Sequence, residues 1–265
     1  MIRKAKNILL SLKSLKKFVG SEIFFEAARS QLEHKILEAP PGGRVLVLAA
    51  HPDDEVIGCG GAIRLHRLAS DQVKIVYLTD GSMGFPDSHR PTKQERGEMA
   101  KTREAETRAA AKILGIDDLV FLRYLDGQLR SNRLIEKYFS QLLSDYQPDI
   151  IYIPSFLDTN SDHFETAKIL IRAISHSKIS ARIFSYEIWS PTFANAFVKI
   201  DRVINDKRKA LSLFKSQLRS RNYLDAALAL NHYRGSIFNA GKFAEAYFSC
   251  PAELLVKLFK LNNLH

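Results

Sequence analysis

The sequence predicts an α/β fold of three layers, in which helices cover both faces of a mostly parallel sheet. Apolar runs of strand length recur along the chain without the polar alternation of a half-exposed sheet, which indicates strands buried on both faces. Helical patterns separate these runs, and strand–helix repetition is typical of parallel sheets with right-handed crossovers. The chain has 265 residues, 46% of them hydrophobic, which is enough for a core of this kind.

The elements begin after a breaker cluster, APPGG at residues 39–43. The predicted strands are Arg44–Ala50, Val73–Leu78, Leu119–Leu122, Asp149–Ile153, Arg182–Ile188 and, more weakly, Phe197–Ile200. The predicted helices are Gly60–Ser70, Lys101–Leu114, Leu134–Tyr146, His163–His176, Asp206–Asn231 and Ala252–Leu261. We therefore expect a basic amphipathic helical segment over residues 1–40, followed by one α/β domain over residues 41–265 with a helical C-terminal extension.

The net charge of +10 is concentrated at the start of the chain, where the first twenty residues carry no acid. No apolar run there is long enough for a secretory signal or a membrane span, and the two cysteines form no disulfide framework. We therefore expect a cytoplasmic protein. The apolar stripe of this segment, like that of Pro251–Leu261, fits a peripheral membrane contact, and packing on the domain or on another subunit is the alternative. The basic residues lack interleaved aromatics, which argues against nucleic acid as a partner.

In open α/β sheets, ligands bind beyond the carboxyl ends of the strands. Polar loops follow the predicted strands at His51–Glu55, Thr79–Gly84, Arg123–Gly127 and Pro154–His163. We therefore expect the functional site where these four loops meet.

The first of these loops reads HPDDE, a dense set of metal-binding and proton-transfer groups. His51 and Asp54 could bind one ion while Asp53 faces the open site, and catalytic zinc usually takes a third protein ligand. His163 follows a later strand and supplies it, with Asp162 as a neighbour that orients the imidazole. The alternative is that these aspartates only cap helices, but capping explains neither His51 nor Pro52.

The stretch AHPDDEVIGCGG resembles the signature of the PIG-L/LmbE-like family of zinc-dependent N-acetylglucosaminyl deacetylases. LTDGSMG, TREAETRAAAKILG, Asp162-His163 and KRKALSLFKSQ resemble further family motifs, so that the resemblance covers residues 44–217. It implies a Rossmann-like fold and removal of the N-acetyl group from an N-acetylglucosamine-type sugar. It also implies one Zn²⁺ per chain, although other divalent metals suit the same ligands.

By position, the resemblance implies roles for individual residues. His51, Asp54 and His163 would bind the metal, Asp53 would be the general base, and Arg103 would bind the substrate. Many family members have a histidine three residues before the last ligand, where this chain has Asn160. An amide can donate a hydrogen bond to an oxyanion but cannot deliver a proton. The general acid is therefore either Asp53, acting a second time, or another group near the site.

Two rival functions follow from the same residues. A metal phosphoesterase would also use His and Asp but usually needs two metals. A non-catalytic protein that binds a sugar or phosphate on the same fold is the other alternative, and the positive charge is consistent with it. Trp189 is predicted either to line the pocket or to lie in the core. If the terminal helices bind a membrane, the expected substrate is a glycolipid or a lipid-linked sugar. The sequence does not specify the sugar, the aglycone or the oligomeric state.

Overall fold

The computed structural model describes residues 33–86, 88–177 and 179–261, and its described part contains one eight-stranded sheet. The strands are β1 (Lys35–Leu37), β2 (Arg44–Ala49), β3 (Gln72–Thr79), β4 (Asp118–Tyr124), β5 (Ile150–Pro154), β6 (Arg182–Tyr186), β7 (Ala196–Lys199) and β8 (Ala244–Pro251). Their order is β1-β7-β8-β6-β5-β2-β3-β4. All neighbours are parallel except β8, which runs antiparallel to β6 and β7. The predicted fold class is confirmed.

All six predicted strands are present, but the sequence interpretation missed β1 and β8. Strand β1 has only three residues and lies at the edge of the sheet, which gives too short a pattern to recognise. Strand β8 contains Glu245, whose carboxylate is buried and bonded to distant residues. Residues 35–37 are thus strand rather than part of a helical segment. Residues 1–32, which hold most of that predicted helix, lie outside the described residues.

Helices cover both faces of the sheet. They are α1 (Asp54–Leu68), α2 (Lys93–Leu114), α3 (Arg133–Tyr146), α4 (Ser161–Ser175), α5 (Ile204–Leu211), α6 (Lys215–Leu218), α7 (Tyr223–Ile237) and α8 (Ala252–Leu261). Along β2, Val45 and Val47 point into the core beneath α1, α2 and α5, whereas Leu46 and Leu48 point into the core beneath α3, α4 and α8. The strand is therefore apolar throughout because both of its faces are covered.

Helix α2 begins eight residues before the predicted start. Thr92 caps it, since its side chain accepts from the Glu95 N–H and the Glu95 side chain accepts from the Thr92 N–H. This reciprocal capping box stabilises a polar first turn that lacks the Ala-rich pattern of the rest. The C-terminal end, before Gly115, is as predicted.

The apolar stripe of α8 is explained by packing. Leu255 and Phe259 are buried in the core against α4. This helix therefore packs on the domain, which was the alternative to a membrane contact. Among the described residues, no helix is both long enough and apolar enough to cross a membrane.

Helix α1 carries the HPDDE turn at its start and is broken at Cys59, where φ is −143° and ψ is 19°. Glu245 accepts hydrogen bonds from the freed N–H groups of Gly61 and Ala62. Lys207 donates both to Glu245 and to the free carbonyl of Ile57. The buried ion pair thus satisfies both sides of the break, which is where unpaired backbone groups would otherwise destabilise the helix.

The order of the strands places the functional edge of the sheet. From β2 the chain proceeds outward through β3 and β4, whereas β5 lies on the other side of β2 and continues to β6. Strands β2 and β5 are therefore the switch point, where the crossovers diverge and leave a crevice at the carboxyl ends. His51 follows β2, and His163 lies in the first turn of the helix after β5.

Candidate metal centre

The HPDDE turn has a strained backbone. Asp53 adopts φ = 123° and ψ = −25°, a region that non-glycine residues rarely occupy. Strain of this kind costs about 1–3 kcal/mol and persists only where neighbouring groups enforce it. The backbone N–H of Asp53 donates to the buried carboxyl group of Glu55 at 3.2 Å, so Glu55 supports the turn.

Arg103, from α2, enforces the same conformation. Its guanidinium donates to the carbonyl oxygens of Pro52 (2.5 Å) and Gly81 (3.1 Å), and it lies 2.9 Å from Oδ1 of Asp53. Only 4% of Arg103 is exposed, although it lines the cavity above the turn. The contacts of Arg103 given above are all to the protein itself, so substrate binding by this arginine stays a prediction.

The three predicted ligands meet at the bottom of the cleft. His51 Nδ1 lies 3.2 Å from His163 Nε2 and 3.4 Å from Asp54 Oδ2, and His163 Nε2 lies 3.2 Å from Asp54 Oδ1. These atoms form one of the groups that could hold a metal ion. The Asp54 carboxylate also accepts a hydrogen bond from the backbone N–H of His51 at 2.7 Å, which fixes the carboxylate between the two rings.

These separations match those of a tetrahedral cation site. Zinc bonds of about 2.0–2.1 Å place tetrahedral ligand atoms roughly 3.3–3.4 Å apart. The two imidazole nitrogens face each other, an arrangement that needs a cation or a shared proton between their lone pairs. Two imidazoles and one carboxylate form the donor set of a catalytic zinc site that keeps a position for water. The residues therefore fit a divalent cation.

Each imidazole has a carboxylate at its other nitrogen. His51 Nε2 lies 3.2 Å from Asp126 Oδ1 and 3.4 Å from Asp162 Oδ2. His163 Nδ1 lies 3.0 Å from Asp158 Oδ1, although the angle of this contact is too poor for a hydrogen bond. Such carboxylates orient metal-binding histidines and raise their basicity. This arrangement favours Nδ1 of His51 and Nε2 of His163 as the ligand atoms.

The predicted role of Asp162 beside His163 was wrong. Its carboxylate accepts the N–H groups of Gly127 and Leu129 and faces His51 instead. Asp158 takes the place beside His163, and it also accepts the N–H groups of Asn160 and Trp189. Asp162 and His163 are adjacent in the first turn of α4, where their side chains point in different directions. The spacing of the two residues in the sequence could not reveal this.

Buried charges shift the acidities of the ligands. Burial alone would lower the pKa of His51, but Asp54, Asp126 and Asp162 together raise it well above its usual range. Burial would raise the pKa of Asp54, but His163 and His51 hold it well below its usual range. The carboxylate of Asp54 is therefore ionised throughout the neutral range, as a metal ligand must be.

The neighbouring carboxyl behaves differently. Burial, with the charge of Asp54, raises the pKa of Asp53 to about 6 against the lowering effect of Arg103. A pKa near the working pH is typical of a general base, and a cation bound beside it would favour its ionised form. Asp53 lines the cavity, so its carboxylate can reach a bound water or substrate.

Asn160 lies at the N-cap of α4. Its Oδ1 accepts the N–H groups of Asp162 (2.8 Å) and His163 (3.4 Å), which fixes the orientation of the amide. The NH₂ group is thereby left as the polar end of a side chain that lines the cavity above the ligands. Asn160 can therefore donate a hydrogen bond while its oxygen holds the start of the helix that carries His163.

A second group that could hold a cation consists of His51, Asp126 and Asp162. It shares His51 with the first group, so filling both would require an imidazole bridging two ions. The carboxylates of this second group already accept backbone N–H groups from Met83, Gly127 and Leu129. We therefore interpret them as the groups that orient His51.

All four predicted polar loops contribute to the cavity, which also has walls that the sequence did not reveal. Trp189 is 42% exposed and lines it, which decides between the two predictions for this residue. Arg221, just before α7, and Tyr223, at its start, line the cavity beside Trp189: the Tyr223 ring meets Trp189 edge to face with centroids 5.8 Å apart, and the Arg221 guanidinium lies 4.8 Å from the centroid of the Trp189 ring. Asp126 lies in the predicted loop after β4, and an Asp-Gly pair at a strand end was the signal for it. Nothing in the local sequence singles out Arg221 or Tyr223.

The chain is similar in sequence to known deacetylases. The model of the family described as "PIG-L: GlcNAc-PI de-N-acetylase" matches residues 46–174. The chain is 30% identical over 212 residues to diacetylchitobiose deacetylase of Thermococcus kodakarensis, covering 73% of this chain and 77% of that protein.

Two solved structures share the fold. N,N'-diacetylchitobiose deacetylase from Pyrococcus horikoshii superposes with a TM-score of 0.71 at 24% identity, over 89% of this chain and 94% of that one. The 4-carboxy-2-hydroxymuconate hydratase of Pseudomonas putida superposes with a TM-score of 0.67 at 23% identity, over 79% and 96%. At these identities, the likeness establishes the architecture alone.

We expect the protein to bind a single divalent ion per chain through the first group. His163→Ala should abolish binding because it removes one of three ligands. Asp126→Ala should retain the ion with about 10- to 100-fold weaker affinity, since it removes only an orienting carboxylate. Elemental analysis after dialysis, with titration of the metal-free protein, measures both. Two ions in the wild type, one of them lost in Asp126→Ala, would contradict this assignment.

Removing Arg103 should destabilise the protein. Arg103→Met leaves the carbonyls of Pro52 and Gly81 without a donor and Asp53 without its cation, which should lower the free energy of unfolding by about 3–5 kcal/mol. Arg108→Met, on the exposed side of the same helix, should change it by less than about 1 kcal/mol. Urea denaturation measures both. Unchanged stability in Arg103→Met would assign this arginine to the substrate alone.

Proposed function

This chain belongs to the PIG-L family, and from that premise we propose that it hydrolyses the acetamide of an N-acetylglucosamine-type sugar, releasing acetate and the free amino sugar. The observation that carries the proposal is the triangle of His51 Nδ1, Asp54 and His163 Nε2 beside a carboxyl of raised pKa, all at the bottom of an open cleft. The description of the family and the name of the Thermococcus kodakarensis relative supply the substrate class.

We propose zinc as the ion, held by His51, Asp54 and His163. Held by these residues, a divalent ion would supply Lewis acidity, which lowers the pKa of a bound water and polarises a carbonyl group. Tetrahedral spacing and imidazole donors favour zinc over magnesium or calcium, which prefer oxygen ligands.

Asp53 handles the proton in this proposal. Its carboxylate accepts a proton from the water that attacks the acetyl carbon, and the same carboxyl then donates it to the nitrogen as the C–N bond breaks. Arg103 and the strained turn hold this carboxylate in the cleft, so little motion is needed for either transfer. The use of one group for both steps explains how the reaction can proceed with Asn160 in place of a histidine.

Asn160 stabilises the transition state. The carbonyl oxygen gains negative charge when water attacks, and a fixed N–H donor aimed at that charge lowers the barrier. The hydrogen bonds that Oδ1 accepts from Asp162 and His163 leave the NH₂ group to donate.

Localisation in the cytoplasm, contact with a membrane and a lipid-linked substrate stay predictions, and the basic segment that favours the membrane contact lies outside the described residues.

Replacing Asp53 tests the function directly. Asp53→Asn has the same shape and tolerates positive φ, so the turn and the metal should be retained. The amide cannot accept the proton, and kcat should fall by about 10²- to 10⁴-fold. The assay is amine release from N-acetylglucosamine and diacetylchitobiose, with metal content measured on the same samples. Wild-type turnover in a metal-loaded Asp53→Asn protein would refute the proposed base, and no turnover by the wild type would refute the reaction.

The role of Asn160 can be separated from its capping role. Asn160→Asp keeps an oxygen that caps α4 but replaces the donating NH₂ with a second oxygen. We expect kcat to fall by about 10²- to 10³-fold, as on removal of one oxyanion donor, with little change in stability. Kinetics and thermal melting of the zinc-loaded protein measure the two effects. A large drop in melting temperature with unchanged kcat would reduce Asn160 to a cap.

A further inference from the structure

The break in α1 separates the turn that carries a metal ligand from the rest of the helix. Residues 54–58 form a single turn before Cys59, and Asp54 lies at the start of that turn. One turn of helix is unstable by itself, because ordering it fixes several dihedral angles for very few hydrogen bonds. Contacts from outside the helix are therefore needed to fix the direction of this turn.

Lys207 and Glu245 provide such contacts from two distant elements, α5 and β8. In a regular α-helix the N–H of Gly61 would donate to the carbonyl of Ile57. Here the N–H of Gly61 donates to Glu245 Oε1 instead, at 2.7 Å. The carbonyl of Ile57 accepts from Lys207 Nζ at 2.8 Å, and this Nζ lies 2.6 Å from the same Glu245 oxygen. The ion pair thus stands where a helical hydrogen bond would be, and insertion of side chains in this way bends a helix.

The ion pair is completely buried. Lys207 and Glu245 are both 0% exposed, and Glu245 Oε2 accepts hydrogen bonds from the N–H of Ala62 and from the hydroxyl of Tyr247. Desolvation offsets most of the attraction within a buried ion pair, and apolar residues of similar size often stabilise a fold as well or better. Stability alone therefore does not explain why charged groups lie at the break.

The glycine after the break lets the carboxylate approach the helix backbone. A Cβ atom added at Gly61 would lie 3.1 Å from Glu245 Oε1, which is tighter than ordinary van der Waals contact. A side chain there would push the carboxylate away from the N–H groups that it holds. The local sequence of α1 is therefore suited to insertion of this pair.

We propose that Lys207 and Glu245 are positioning residues of the metal centre. By opening α1 after its first turn, they direct Asp54 towards the two imidazoles and Asp53 towards the cleft. Neither Lys207 nor Glu245 belongs to the group that could hold the ion, so both act through the turn that begins with Asp54. This role concerns the binding of the ion and goes beyond the proposed hydrolysis.

A neutral pair of similar size tests this role without leaving one charge buried alone. The double variant Lys207→Met, Glu245→Gln removes both charges together, so the protein should still fold. The connection to the first turn is lost, because methionine donates no hydrogen bond to the carbonyl of Ile57. We expect the affinity for Zn²⁺ to be about 10- to 100-fold weaker, as when a group that orients a metal ligand is removed. Competition titration of the metal-free protein against a chromophoric chelator measures this affinity.

His66→Leu is the control, because His66 lies on the same helix beyond the break. It is buried and bonded to Asp71 and to the hydroxyl of Tyr152. Its replacement should lower the melting temperature of the metal-free protein and leave the Zn²⁺ affinity at the wild-type value. The visible absorption of bound Co²⁺ reports the geometry of the ligands. That spectrum should change in the double variant and stay unchanged in His66→Leu.

Wild-type Zn²⁺ affinity and an unchanged Co²⁺ spectrum in a folded double variant would overturn the positioning role. Equal weakening in His66→Leu would overturn it as well, since any loss of stability would then reach the metal centre. If the double variant does not fold, Tyr247→Phe decides, because it removes one hydroxyl that holds Glu245 and keeps both charges. We expect about threefold weaker Zn²⁺ binding in Tyr247→Phe, and the wild-type value would overturn the role.

Neither readout uses amine release, so failure of the proposed hydrolysis leaves this test intact. Zinc binding that depends on the pair, without turnover of any acetylated sugar, would support the positioning role and overturn the proposed function. Absence of Zn²⁺ binding by the wild type would overturn the metal centre and the positioning role together.

Discussion

The site depends on the contacts that the guanidinium group of Arg103 makes. It joins the loop after β2 to the loop after β3 through the carbonyls of Pro52 and Gly81, and it faces the carboxylate of Asp53. The turn that it holds has an unfavourable backbone conformation, and that conformation separates Asp53 from Asp54 although they are neighbours in the chain. One carboxylate is thereby directed to the imidazoles and the other to the open cleft. Two adjacent acids can then differ widely in pKa, as base and ligand require.

The fold by itself does not determine the chemistry. A deacetylase and a hydratase superpose on this chain about equally well. In this chain the switch point of the sheet leaves a crevice at the carboxyl ends of the strands, and such a crevice can accommodate many reactions. Amide hydrolysis is indicated instead by particular groups: a ligand triangle of tetrahedral dimensions, a carboxyl beside it, and an amide donor above it.

Much of the fold and the first ligands could be predicted because their signals are local. Strand β2 is apolar throughout, and the HPDDE turn follows it directly, so periodicity and residue type were sufficient. The residues that the sequence did not reveal act over long distances in the chain. Strand β8 contains a charged residue whose partner, Lys207, lies on α5. Asp158 was not recognised as the partner of His163, because adjacency in the sequence favoured Asp162.

The close approach of α1 to the sheet divides the site into two parts with different tolerance to change. A Cβ atom added at Gly58 would lie 2.1 Å from the ring of Tyr186, and one added at Gly61 would lie 2.5 Å from Ile200. Either contact would displace the helix that begins with Asp54. Trp189 and Arg221 also line the cavity but are exposed, so their side chains can change without displacing α1. Divergence among descendants of this chain can therefore alter which glycoside is accepted while the reaction itself is inherited unchanged.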